Sequence, residues 1–186
     1  MTTSDGYLLD TNVISILARP NTPQYAHIVA HLNAIHPAPI FLPIIAIAEI
    51  ESGMAKAENP DPNQQAEIRK FFKKYPLHIG VDDNTVEPYA LLRAQLWKMH
   101  ATKKKRGHKE KLPEELEDKV TGKELGIDER DLLIASCAAQ YNLILATCDE
   151  NPGMKRIEQA GDELQKAGSP VTLRISYCGS SKPTTS

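Results

Sequence analysis

The stretch Tyr7-Leu8-Leu9-Asp10-Thr11-Asn12 decides the fold: a short apolar run stops abruptly at a carboxylate, and a helical pattern takes over. Gly6 to Leu9 reads as a first strand buried on both faces. Asn12 to Ala18 then carries Val13, Ile14, Ile16 and Leu17 in a short helix ended by Pro20. Working outward, isolated acids recur in comparable settings. Glu49 follows Ile40-Phe41-Leu42-Pro43, Asp131 opens Leu132-Leu133-Ile134-Ala135, and Asp149 closes Leu143-Ile144-Leu145-Ala146-Thr147-Cys148. In an open α/β fold the carboxyl ends of strands converge on one crevice where ligands bind. Carboxylates gathered there repel one another unless a hard cation such as Mg²⁺ or Mn²⁺ neutralises them.

The rest of the chain keeps the strand–helix alternation. Helical spacing spans Gln24 to Ile35, Ile44 to Ala57 and Gln65 to Lys74, with Ile40 to Leu42 and Leu77 to Val81 as strands between them. Asp83 or Asn84 is placed to cap the next helix, in which Tyr89, Leu92, Leu96 and Trp97 are expected to face the core. Asp131 to Tyr141 and Met154 to Lys166 follow as helices, with strands at Asn142 to Ala146 and Val171 to Ser176. This pattern predicts an α/β fold with a mostly parallel sheet covered by helices on both faces. The reading takes residues 6–178 as a single domain. Lys103 to Gly126 reads as a mobile or loosely helical charged insertion, and residues 179–186 as a disordered tail.

Composition narrows the class. With 186 residues, 41% of them apolar and 25% charged, the chain is long enough to bury a real core. A formal net charge of -2 excludes a globally basic nucleic-acid binder while leaving room for a local basic patch. No apolar run approaches the roughly 20 residues that span a bilayer. The first residues lack the basic start and apolar stretch of a secretory signal. Cys137, Cys148 and Cys178 are odd in number and lack close pairing, which predicts reduced thiols and a cytoplasmic setting.

Taken singly, each acid has an ordinary explanation. Asp10 suits an N-cap, Asp131 a first helical turn, and Asp149 the turn Asp149-Glu150-Asn151-Pro152-Gly153. Glu49 is harder to dismiss, because it lies in the apolar run Ile44-Ile45-Ala46-Ile47-Ala48-Glu49-Ile50, where an unpaired charge is costly.

Jointly, the blocks Leu8-Leu9-Asp10-Thr11-Asn12, Glu49-Ile50-Glu51-Ser52-Gly53, Asp131-Leu132-Leu133-Ile134-Ala135 and Thr147-Cys148-Asp149 resemble, in order, the signatures of PIN-domain nucleases. In particular they are similar to the ribonuclease toxins of VapBC-type toxin–antitoxin pairs. The resemblance implies a three-layer α/β/α sandwich around a parallel sheet of about five strands. It implies Mg²⁺- or Mn²⁺-dependent cleavage of RNA, with Asp10, Glu49, Asp131 and Asp149 as catalytic, metal-holding acids. Asn12 and Thr147 would be polar supports, and Gly53 would permit close helix packing. A cognate antitoxin and a homodimer are implied as well. The fourth block departs from the family's usual continuation, which has an Asn and then an Asp-Phe pair.

The chemistry suits the residue types. Carboxylates that hold Mg²⁺ leave coordination positions to water and phosphate oxygens. The metal then polarises the phosphorus centre and activates the attacking water. Lys103, Lys104, Lys105 and Arg106 are candidates for tracking an RNA backbone, although a charge run is more usually a solvated face, here paired with Glu114 to Asp118. His27 and His31 stand at zinc-like spacing but have no third ligand nearby. Two competing functions remain: a noncatalytic RNA-binding or assembly module of the same fold, and aspartyl-phosphate chemistry at Asp10. The second expects an acid two residues later, where Asn12 stands.

Overall fold

A computed structural model describes residues 5–100, 112–118, 120–149 and 151–178. The basic run Lys103 to Arg106 and the tail 179–186 lie outside the described residues. The chain divides into two compact units.

The first unit comprises residues 1–79, 144–149 and 175–186 and holds the sheet. Its strands are β1 (Tyr7–Leu9), β2 (Ile40–Pro43), β3 (His78–Ile79), β4 (Ile144–Thr147) and β5 (Arg174–Tyr177), in the order β3-β2-β1-β4-β5. β1 pairs parallel with β2 (Tyr7 opposite Ile40) and with β4 (Leu8 opposite Leu145), and β2 pairs parallel with β3. Leu8, Leu9, Leu42, Leu145 and Ala146 are fully buried, as a strand covered on both faces requires. The chain builds outward from β1 in one direction to β2 and β3, then returns to the other side for β4. The gap between the carboxyl ends of β1 and β4 is therefore the topological switch point. Helices α1 (Thr11–Leu17), α2 (Tyr25–Ile35), α3 (Ile44–Ala55) and α4 (Pro62–Lys74) complete this unit. Asp61 caps α4 by accepting from the backbone N–H groups of Asn63 and Gln64.

The second unit comprises residues 80–143 and 150–174. Helices α5 (Val86–His100), α6 (Glu129–Gln140) and α7 (Pro152–Lys166) pack on one another through Leu92, Leu96, Leu132, Ile157, Ala160 and Leu164. Gly153 and Gly161 let the segments at Gly126 and Leu173 lie close against α7. A Cβ on Gly153 would overlap the Gly126 carbonyl oxygen, and one on Gly161 would stand 2.9 Å from Leu173 Cβ.

Several expectations are refined. Asp82, rather than Asp83 or Asn84, does the capping, and it serves a 3₁₀ turn at Asp83–Thr85 that precedes α5. Trp97 is 49% exposed, whereas Leu92 and Leu96 on the same helix are fully buried. In the described part of the charged insertion, Pro113–Glu115 form a 3₁₀ turn and Glu117 bridges antiparallel to Glu124. Leu116, Leu125 and Ile127 are buried, so apolar residues spaced through this acidic segment anchor it without an α-helix. Among the described residues no helix is long and apolar enough to cross a membrane.

Candidate active site

Asp10 leaves the carboxyl end of β1 and is only 2% exposed. Its backbone N–H donates to the Ala146 carbonyl of β4 at 2.9 Å, which fixes it at the switch point. One carboxylate oxygen, Oδ1, accepts from the Thr11 backbone N–H at 2.7 Å, the first donor of α1. The other, Oδ2, accepts from the Thr147 hydroxyl at 2.7 Å. The cap expected for Asp10 is therefore present, and it is one half of a more demanding arrangement.

Thr147 is fully buried at the end of β4, and its hydroxyl is saturated. It donates to Asp10 and accepts from Asn12 Nδ2 at 3.3 Å and from the Asp149 backbone N–H at 2.9 Å. A hydroxyl has one proton and two lone pairs, so no other assignment fits these partners. Asn12 is fixed at both ends: its Oδ1 accepts from the Cys148 backbone N–H at 3.1 Å. The amide orientation follows, and Asn12 and Thr147 together hold the loop that carries Asp149 against the end of β1.

Glu49 lies half-buried on α3, one turn and a half beyond the end of β2. Its Oε2 accepts from the Thr11 hydroxyl at 2.6 Å. Thr11 thus joins two acids, with its backbone to Asp10 and its side chain to Glu49. Sequence reasoning passed over this residue. The available signal was a hydroxyl immediately after the strand-end acid, at the first position of the helix.

Burial pushes the Asp10 carboxyl above its ordinary range, and the negative charges of Asp149 and Glu49 add to that rise. The hydrogen bonds from Thr147 and Thr11 work in the opposite direction. Glu49 and Asp149 are therefore close enough to bear on Asp10. The fourth expected acid, Asp131, sits in the first turn of α6 beside the Asp128 cap, within the second unit. Among the described residues, no group of three or more His, Cys, Asp or Glu is gathered tightly enough to hold a metal as it stands.

Two further features of the first unit were not anticipated. The Cys178 backbone N–H donates to the Thr147 carbonyl at 2.8 Å, which brings Cys178 beside Cys148. The neighbouring Cys148 thiol, then burial, pushes the Cys178 thiol up, while Cys178 lowers Cys148. The two cysteines are distant in sequence, so spacing could not pair them. Gly53 also differs from expectation. Nothing lies within 4 Å of where its Cβ would stand, so helix packing does not require a glycine there.

Residues 7–159 match the model of the PIN domain. Ribonuclease VapC14 of Mycobacterium tuberculosis (strain CDC 1551 / Oshkosh) is 36% identical over 75 residues, which cover 40% of this chain and 71% of that protein. The crystal structure of FitAcB from Neisseria gonorrhoeae superposes with a TM-score of 0.58 at 20% identity, covering 92% of this chain and 97% of that one. DNA-bound VapBC from Salmonella typhimurium gives 0.57 at 16% identity, covering 93% and 98%. The structural likeness establishes the fold class as an α/β/α sandwich of PIN type around a mostly parallel sheet. The chain belongs to the PIN domain family.

Proposed function

We propose that the chain is a metal-dependent endoribonuclease that cleaves RNA phosphodiester bonds as the toxin of a toxin–antitoxin pair. The observation that carries this reading is Asp10. It is a buried carboxylate at a topological switch point, held by two donors and facing two further acids. Burying like charges is costly unless something positive joins them. Family membership and the likeness to a VapC ribonuclease supply the class of reaction.

The donor set fits a hard divalent cation, since Asp10, Glu49 and Asp149 offer only carboxylate oxygens. Asp131 is assigned to the same site on the family pattern. When bound, Mg²⁺ or Mn²⁺ supplies Lewis-acid polarisation of the phosphate and an acidified water. The chain's own residues prepare that chemistry. Thr147 and the Thr11 backbone fix both oxygens of Asp10, while the Thr11 hydroxyl ties Glu49 to the same turn. Asn12 secures the strand end that carries Asp149. Such supporting groups orient ligands and set their basicity. We assign the activity to a single domain over residues 6–178, working in the cytoplasm as a homodimer and held in check by a protein antitoxin. The basic run Lys103 to Arg106 is assigned to RNA backbone contact.

A noncatalytic RNA-binding module is the competing reading, favoured by the lack of a tightly gathered ligand trio among the described residues. Calorimetry with Mn²⁺ and cleavage assays on RNA in the presence and absence of chelator separate the two. Metal binding together with chelator-sensitive cleavage supports the nuclease. RNA affinity without Mn²⁺ binding, or cleavage that persists in chelator, defeats it.

A further inference from the structure

A groove of about 330 Å³ opens beside the acids. Thr11 and Glu49 are among the residues that line it, so it adjoins the candidate active site, and its lining lies wholly in the first unit. Its floor is apolar, formed by Ile50, Met54 and Ile68, and the amide side chains of Asn59 and Gln64 stand exposed on its rim. The walls are braced: Arg69 on α4 makes a bidentate pair with Glu51 on α3, at 2.9 and 2.7 Å.

Gly53 is the telling residue. It occupies the interior of α3 and lines the groove, yet no neighbour needs its missing side chain. A glycine inside a helix lowers helix stability relative to alanine. Where packing does not require one, close approach of a ligand is the remaining physical use. The charges lining the groove are Arg19, Glu49 and Asp61, a net of −1 (one cation less two anions), which disfavours a phosphate. A flat, neutral group with donors and acceptors along its edge suits an apolar floor under an amide rim.

Building on the ribonuclease reading, we propose that this groove is a subsite for the nucleobase of a nucleotide flanking the scissile phosphate, and that Gly53 keeps it open. Asn59 and Gln64 then meet the base edge, and the groove contributes to the choice of cleavage position.

The test uses the full chain carrying Asp10→Asn, alone and combined with Gly53→Leu or Gly53→Ala, titrated in Mn²⁺ with a fluorescently labelled single-stranded RNA of mixed sequence. Leucine should fill the groove and weaken RNA binding by roughly tenfold, the equivalent of one base's contacts, and alanine should weaken it by a smaller but measurable factor. Mn²⁺ affinity, measured by calorimetry in Gly53→Leu and Gly53→Ala proteins that keep Asp10, should match that of the native chain. In otherwise native protein, Asn59→Ala and Gln64→Ala should alter base preference on one side of the cut, read by sequencing RNA ends. Equal RNA affinity and unchanged cleavage positions in the Gly53→Leu protein would overturn the subsite. So would a Gly53→Leu protein that keeps its RNA affinity but no longer retains a copurifying protein, since the groove would then belong to a protein partner. Cleavage undiminished by Asp10→Asn sinks the proposed active site instead, and the binding titration still reports on the groove.

Discussion

Each of the two units contains a hydroxyl donating to a carboxylate, and the two pairs differ in what surrounds them. In the first, Thr147 donates to Asp10, and the next charges are the acids Glu49 and Asp149. In the second, Tyr89 donates to Glu129, and the next charge is Arg93, whose guanidinium donates to the Tyr89 oxygen at 2.8 Å. The second arrangement is locally compensated, cation through phenol to anion. The first accumulates negative charge in a buried place. A buried polar contact is thus a weak sign of function, and like charges bearing on it are a stronger one.

The largest effect expected from this contrast is on cleavage by Asp10→Asn. The substitution keeps the shape and removes the charge. Groups that only support a metal ligand typically cost about 10–100-fold when removed, so loss of the ligand should exceed roughly 100-fold. Thermal stability without metal should hold or rise, because the variant relieves a buried negative charge beside Glu49 and Asp149. A variant that cleaves normally, or that unfolds, would remove the distinction between the two pairs.

The glycines draw the same distinction by another route. Gly153→Ala forces a Cβ onto the backbone of Gly126, whose carbonyl carbon would lie 2.8 Å away, and the backbone cannot yield cheaply. Destabilisation of about 3 kcal/mol or more is expected, at the upper end for overpacking. Gly53→Ala, facing open space, should stabilise by roughly 0.5–1 kcal/mol through helix propensity. Urea unfolding of both variants checks the signs, and a destabilised Gly53→Ala would mean that α3 needs its glycine for the fold.

The buried threonines come next. Thr147→Val should lower cleavage by about 10–100-fold, because Asp10 loses the donor that aims Oδ2. Thr85→Val removes a hydroxyl that donates to Gln140 at 2.5 Å and accepts from the Asp82 N–H at 3.1 Å. It should cost about 1–2 kcal/mol of stability and leave cleavage per folded molecule unchanged. Comparable losses of activity in both would show that burial, not the neighbouring acids, governs the effect.

Much of this was legible in the sequence, for definable reasons. Leu8-Leu9-Asp10 and Leu145-Ala146-Thr147 end on polar residues, and strands buried on both faces read as continuous apolar runs. Asp10 at the carboxyl end of the first strand followed from the first of those stops, while the switch point beside it came only with the strand order. Contacts that depend on three dimensions were not legible. Thr11 reaching Glu49 across 38 positions, and Cys148 meeting Cys178 across adjacent strands, leave no mark in local spacing. Trp97 misled because hydrophobic size does not reveal which side of α5 a residue occupies, and Leu92 and Leu96 take the core side. Gly53 misled because a glycine deleted of neighbours and a glycine crowded by them are the same letter.

The smallest effect concerns the compensated pair itself. Burial, then the hydrogen bond to Glu129, pushes the Tyr89 phenol from 10.0 up to about 12. A raised folded value means that the folded state holds the proton more tightly than the unfolded chain. The stability this contributes is complete below pH 10.0 and is lost as pH rises towards about 12. Tyr89→Phe should therefore cost about 1 kcal/mol at neutral pH, where Glu129 loses a donor and its other oxygen is already buried without a partner among the described residues. The gap between native protein and variant should narrow as the solution is made more alkaline. Cleavage per folded molecule should be untouched, since no second acid depends on this phenol in the way that Asp149 and Glu49 bear on Asp10. A gap that stays constant across that pH range would show that the phenol stabilises through packing alone. The contrast between the two pairs would then rest on Asp10 without a counterpart.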